Sequence, residues 1–457
     1  MASGTIQSDT TQPGTTQPDT TPKEEMAARA RDRLQVLTAR QSGRWGRLLW
    51  LLVGPGILVM LGENDAPSML SYSATGARFG VGFFLPFVAL TFAMAFIAQE
   101  VTVRLGAVSK TGHADLIYRR FGRLWGNFAM ADLLFTNVLT LITEFVGIVA
   151  GAGYFGIPKS VAVAGGVSLV TLTLAAHRYW VWERLTLALA VCNLVFVPVA
   201  ILTHPHWGRV ASAFATWGPL PRGGFGASTL TILLADIGAT ITPWMLFFQQ
   251  GAVSDKGLAT SDVFHGRIDT ALGAFLATLA AAACIIAASP LFIHHMPAGQ
   301  FGAAQFAQAL VPYAGRFGAA LFALGILEAG LVAATTISAS SAYAFGEVAR
   351  RAHSLNAAAR QAPSFYLVFI LVAAVAGAIV LIPGFPLEAV VLMVNIVAVL
   401  TMPPAVAFLL ILANDREIMG AYKSTSGLNA LGVGVGAFVA LAGIVYALSV
   451  IIPGFRL

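Results

Sequence analysis

From Gly54 to Ser68 the chain reads GPGILVMLGENDAPS, an apolar segment interrupted by three polar residues in a row and closed by a proline. Inside a helix a proline removes a backbone donor and clashes with the carbonyl four residues earlier. A helix is therefore expected to break close to Pro67, beside Glu63, Asn64 and Asp65. The arrangement recurs from Asp236 to Trp244, which reads DIGATITPW. An unwound backbone inside a bilayer needs polar neighbours, and both breaks carry them. Interrupted segments in corresponding places of two halves are the best pointer in a sequence to a transporter's binding site.

The surrounding chain is that of a polytopic, all-α membrane protein. Its 457 residues are 57% hydrophobic and 11% charged, with a mean hydropathy of +0.78. Apolar stretches of about 20 residues recur, each long enough to cross a hydrocarbon core as a helix. The short alternating segments of a β-barrel are absent. Eleven spans are expected, at roughly 47–76, 81–106, 124–153, 158–176, 181–203, 227–253, 265–289, 315–345, 364–383, 387–412 and 429–452. Spans 1–5 (47–203) and spans 6–10 (227–412) form a 5+5 inverted repeat with broken helices 1 and 6, and span 11 follows. The transmembrane domain occupies 44–457. Residues 1–43 form the tail before it, disordered to about residue 22, then a short amphipathic helix over 23–40 with Leu34, Val36 and Leu37 on one side.

The net charge of +6 invites a nucleic-acid reading, but the basic residues are placed by topology. With a cytoplasmic N-terminus, all of the 27 Lys and Arg residues except Arg78, Lys159, Arg209, Arg222, Arg316 and Arg456 fall at the inner face, Lys256 among them. This is the positive-inside pattern. It expects a multi-pass plasma-membrane protein with its C-terminus outside and no nucleic-acid partner. Trp45 and Trp50 beside Arg47, and Trp180 and Trp182 beside Arg178, suit interfacial anchors. The loop over 290–314 carries Phe301, Phe306, Leu310 and Val311, a pattern for a helix lying on the membrane. Cys192 and Cys284 sit in apolar segments, so neither a disulfide framework nor a metal cluster is expected.

Carboxylates in lipid are costly and mark function. Glu63, Asp65, Glu144 and Glu328 fall deep in their spans, with Asp236 shallower and one turn before Thr240. No Lys, Arg or His accompanies them at that depth. Several uncompensated acids around one cavity make a cation site or force some of them to hold protons. Asn137, Thr140 and Glu144 share a face of span 3, and Glu328 and Thr335 share a face of span 8. Such stripes line a path or act as interhelical hydrogen-bond glue.

At these residues the chain resembles the NRAMP family of divalent-metal transporters. The resemblance is carried by Gly54-Pro55-Gly56 with an acid nine residues later, Arg104-Leu105-Gly106 ending span 2, Glu144 followed by Gly147, and Gly238-Ala239-Thr240 leading to Pro243. It implies a LeuT-like fold and metal uptake coupled to protons. The family's Asp-Pro-Gly-Asn corresponds to Asp65, Ala66, Pro67 and Ser68, and its Met-Pro-His to Thr242, Pro243 and Trp244. The family's second span-6 His corresponds to Gln249, and the Asp preceding the span-3 Glu to Leu141. The span-9 Arg is missing, since residues 364–383 carry no charge.

These departures remove the soft thioether ligand that favours transition metals over hard ions, together with most residues associated with proton movement. The expected substrate is a divalent cation of the Mg²⁺ or Mn²⁺ class. Asp65 is the metal ligand, with Ser68, Glu63, Thr242, Trp244, Asp236 and the carbonyls of Gly62 and Ala239 around it. Glu144, Thr140, Asn137, Glu328, Thr335 and Gln249 form a polar pathway. The alternative is an organic cation held against the Trp244 π face; a non-transporting sensor or scaffold comes after it. No enzyme activity and no cofactor are expected.

Overall fold

The computed structural model describes residues 23–176, 178–221, 224–293 and 303–451. In chain order the α-helices are α1 (Lys23–Gln41), α2 (Trp45–Leu52), α3 (Pro55–Glu63), α4 (Ala66–Phe79), α5 (Phe84–Ser109), α6 (His113–Tyr154), α7 (Lys159–Thr173), α8 (Tyr179–Val191), α9 (Phe196–Leu202), α10 (Trp207–Thr216), α11 (Ala227–Gly238), α12 (Pro243–Lys256), α13 (Val263–Ile293), α14 (Ala303–Ala349), α15 (Pro363–Val380), α16 (Leu387–Asn414), α17 (Arg416–Met419) and α18 (Ser426–Ile451). Among the described residues ten spans are long and apolar enough to cross a membrane. The pair α2–α3, bent by 50°, raises the number to eleven.

Both expected breaks are present, and the prolines explain their form. Pro67 stands in the first turn of α4 and Pro243 opens α12, positions where the missing N–H costs nothing. Each proline therefore starts a half-helix. Asp65 caps α4, its Oδ1 accepting from the Ser68 N–H at 2.9 Å, the usual role of Asp before a helix.

A third discontinuity, at Val53–Gly54, has its own partners. The amides of Gly54, Gly56 and Ile57 donate to the Asp269 carboxylate at 3.0, 2.6 and 3.2 Å. The carbonyls of Leu52 and Val53 accept from Lys256 Nζ at 3.2 and 3.0 Å. Lys256, expected among the inner loop charges, instead has a fully buried side chain and pairs with the equally buried Glu183 at 2.7 Å. A lysine at the end of a span reads as a flank until the chain folds it against a partner from α8.

The helices meet where side chains are small. A Cβ on Gly147 of α6 would lie 2.1 Å from that of Ala66, and one on Gly238 would lie 1.9 Å from the Asn395 carbonyl oxygen. The second contact is with backbone, which moves only if α16 does. Gly238→Ala is expected to destabilise the protein by about 1–3 kcal/mol through overpacking, read as a lower melting temperature in detergent.

The periphery differs from expectation in three places. On α1, Val36 is buried while Leu34 and Leu37 are exposed. The helix is turned by Arg33, 2.5 Å from Asp262, and by Arg40, bonded to Asp262 and Ser261, so the i, i+3, i+7 face of 33, 36 and 40 makes the contact. Trp182 is fully buried, whereas Trp45 and Trp50 are exposed. In the 290–314 loop, Phe301 lies outside the described residues; Phe306 and Leu310 are buried on α14, which turns at Gly315. That segment packs on the bundle, because its apolar face finds Phe322. The expected disorder of the tail up to residue 22 likewise lies outside the described residues.

Candidate functional site

The two breaks face one another at the middle of the bundle. Most unwound backbone groups find side-chain partners, as a low-dielectric interior demands. Asn193 Nδ2 donates to the carbonyls of Asn64 (2.9 Å) and Leu61 (3.3 Å). Asn64 Nδ2 donates to the Ala277 carbonyl at 2.9 Å, and Asn395 Nδ2 to that of Pro67 at 3.5 Å. The Ala66 amide donates to Glu144 Oε2 at 3.1 Å. The Asp65 and Glu144 carboxyl groups thereby come within hydrogen-bonding reach of each other. Two carboxyls this close in a dry interior need a proton or a cation between them.

Glu63 joins the cluster from the other side of the break. Its Oε2 accepts from Thr242 Oγ1 at 2.7 Å, which ties the first broken span to the second. Trp244 is fully buried. Its indole N–H lies beside Glu63 without a well-formed hydrogen bond, and its ring edge lies over Gly62, 3.4 Å from where a Cβ would stand. Around the breaks several buried acceptor oxygens have no donor: Glu63 Oε1, Asn64 Oδ1, Asn137 Oδ1, Glu144 Oε1 and Asn193 Oδ1. Ser68 Oγ is buried and unpartnered too. Among the described residues no three His, Cys, Asp or Glu side chains converge as a metal-ligand group, so a metal here would draw on amide, hydroxyl and backbone oxygens as well.

Other expected site residues are placed elsewhere. Asp236 is fully buried, deeper than expected, and accepts from Ser71 (3.0 Å) and Thr75 (2.8 and 3.0 Å). The Ala239 carbonyl accepts from Tyr72 Oη at 2.7 Å. Together these bonds clamp α4 to α11 and occupy groups expected to face the substrate.

Thr140 Oγ1 is turned to the Thr136 carbonyl, and Asn137 Nδ2 binds Ser341 at 2.9 Å. Gln249 Nε2 donates to Thr270 at 2.9 Å. Glu328 and Thr335 share a face of α14 but not the one toward Asp65. Gly330 is the residue that meets the Glu144 carbonyl and Ala66, and Glu328 lies about half a helical turn round, within electrostatic range of the exposed Cys192. Both Glu328 oxygens lack a donor.

The reading of the sequence missed Asn193 and Asn395, which hold the unwound backbone, and Asp269, which holds the start of α3. A lone polar residue in an apolar span is the signal that Asn193 and Asn395 share; Asp269 follows His265 and Arg267 and carries no such signal.

A helical bundle with two broken spans meeting over buried carboxylates is the LeuT-like transporter fold. The sequence model of the natural resistance-associated macrophage protein-like family matches residues 56–449, and the chain belongs to that family. The divalent metal cation transporter MntH of Brucella suis is 28% identical over 283 residues, 59% of this chain and 60% of that protein. The matched stretch thus spans about three-fifths of that relative's length. The crystal structure of the Eremococcus coleocola manganese transporter with an aromatic bis-isothiourea compound superposes with a TM-score of 0.73, covering 90% of each chain at 20% identity. The MhsT structure with L-phenylalanine gives 0.55, covering 86% of this chain and 98% of that one at 12% identity. Likenesses at this identity speak for the fold.

Proposed function

We propose that the chain is a secondary transporter, not an enzyme, carrying a divalent metal cation through the gap between Asp65 and Glu144. The observation that carries this reading is the meeting of two carboxyl groups amid unpartnered acceptor oxygens, with no basic side chain among the described residues to neutralise them. A cation completes that set; among the described residues an anion would meet only the Ser68 hydroxyl and the Trp244 N–H as donors, with no positive charge beside them. The similar proteins, a divalent metal cation transporter and a manganese transporter, point the same way.

The donor set around Asp65 is oxygen: carboxyl, hydroxyl and amide. Where the family pattern has a thioether, Thr242 offers a hydroxyl already bonded to Glu63. Oxygen donors suit a hard ion that keeps some of its water, the Mg²⁺ or Mn²⁺ class. The distribution of basic residues supports a cytoplasmic N-terminus and an external C-terminus. A second reading, an organic cation, is favoured by Trp244, whose buried indole offers a π face.

Flux into proteoliposomes separates the two. Saturable uptake of Mn²⁺ or Mg²⁺, each competing with the other, is expected. Transport of amines or guanidinium compounds with no metal uptake would overturn the metal reading.

A further inference from the structure

A cavity of about 1040 Å³ opens at the end of the bundle opposite α1. Its basic lining is Arg78 from the last turn of α4, His204 and His206 between α9 and α10, and Arg209 from α10. Among the described residues, none that lines it is Asp or Glu. Neither arginine has a carboxylate partner among the described residues. Ser228 and Thr229, in the first turn of the twelve-residue helix α11, line the same space. The positive end of that helix dipole therefore adds to the side-chain charge.

Two guanidinium groups, two imidazoles and a helix N-terminus share one concavity without a counter-charge among the described residues. This chemistry is opposite to that of the Asp65 site, so the cavity is not a funnel for bare cations. Planar guanidinium forks match tetrahedral oxyanions, and a helix N-terminus favours their negative charge. We propose that this cavity is a second site, separate from the transport pathway, for a phosphate-type oxyanion, free in solution or carried on a lipid headgroup. Bound there, it joins the outer end of α4 through Arg78 to the start of α11. These are the two half-helices already clamped by Asp236 with Ser71 and Thr75, so an occupant holds that clamp shut.

The test is calorimetric titration of inorganic phosphate into the purified full-length protein, with chloride as the control anion. Saturable phosphate binding is expected, weakened at least about tenfold in Arg78→Gln/Arg209→Gln, the loss of roughly one charge-assisted hydrogen bond. Asp65→Asn should bind phosphate as the parent does. Melting temperature and gel-filtration profile show whether the double variant is folded, and the two single variants serve if it is not.

A second arm reconstitutes parent and variants in nanodiscs of phosphatidylcholine with or without phosphatidylglycerol and scores retained phosphatidylglycerol by mass spectrometry. Retention by the parent but not the double variant, without binding of free phosphate, assigns the site to a lipid headgroup. Absence of both, or equal binding by folded variant and parent, would overturn the proposal. Neither readout depends on transport, so the result stands apart from the substrate assignment.

Discussion

Asp65→Asn is expected to lower metal flux at least about 100-fold while leaving the fold intact. Even ligand-supporting neighbours of a metal are worth about 10–100-fold in affinity, and a direct carboxylate ligand exceeds that. The substitution isolates charge because of what Asp65 does structurally. Its Oδ1 caps α4 by accepting from Ser68 N–H, and asparagine caps about as well as aspartate. The same logic holds for Glu144→Gln, whose amide oxygen can still accept from the Ala66 amide. Both variants should melt within a few degrees of the parent in detergent, and both should lose saturable Mn²⁺ or Mg²⁺ uptake. Asp65→Ala, by contrast, also loses the cap, at about 1 kcal/mol. Undiminished uptake by folded Asp65→Asn would remove Asp65 from the binding site.

The second large effect is on stability. Lys256→Met leaves Glu183 buried without its counter-charge, and leaves the Leu52 and Val53 carbonyls without the donor they share. Breaking a buried pair from one side costs about 3–5 kcal/mol. Replacing both partners is far milder, because no lone charge remains, so Lys256→Met/Glu183→Gln is expected to recover most of the loss. In the double variant Tyr179, which donates to Glu183 at 2.9 Å in the parent, keeps an acceptor. Thermal unfolding in detergent across the four proteins gives the coupling directly. A coupling near zero would mean that the two charges do not depend on each other.

The breaks were legible because proline has a local mechanism: a span containing Pro67 or Pro243 cannot continue its hydrogen bonding, whatever surrounds it. Glu63, Asp65 and Glu144 were legible because a carboxylate in an apolar run stands out. Partnership was not. Lys256 and Glu183 are 73 positions apart, and Asp269 reaches Gly54 across 215, distances over which periodicity carries no information. Rotation about a helix axis was also hidden. The i, i+7 relation correctly put Glu328 and Thr335 on one face of α14, but only packing fixed which face turns toward Glu144, and it is that of Gly330. Asp236 and the Ala239 carbonyl likewise lie next to the break as expected, yet are engaged by hydroxyls of α4 that the sequence gives no reason to place there.

Only three residues, Ser42 to Arg44, connect α1 to α2, and α1 is fastened to Asp262, just before α13, through Arg33 and Arg40, which remain about 30% exposed. Any movement of α2 relative to α13 must either strain that short tether or undock the helix, which makes α1 ballast on the arm that leads into the first broken span. Because its arginines meet solvent, their hold weakens as dissolved ions shorten the electrostatic range to about 8 Å at physiological salt. Ionic strength at the membrane face thus reaches, through one surface helix, a motion whose working parts are all dry.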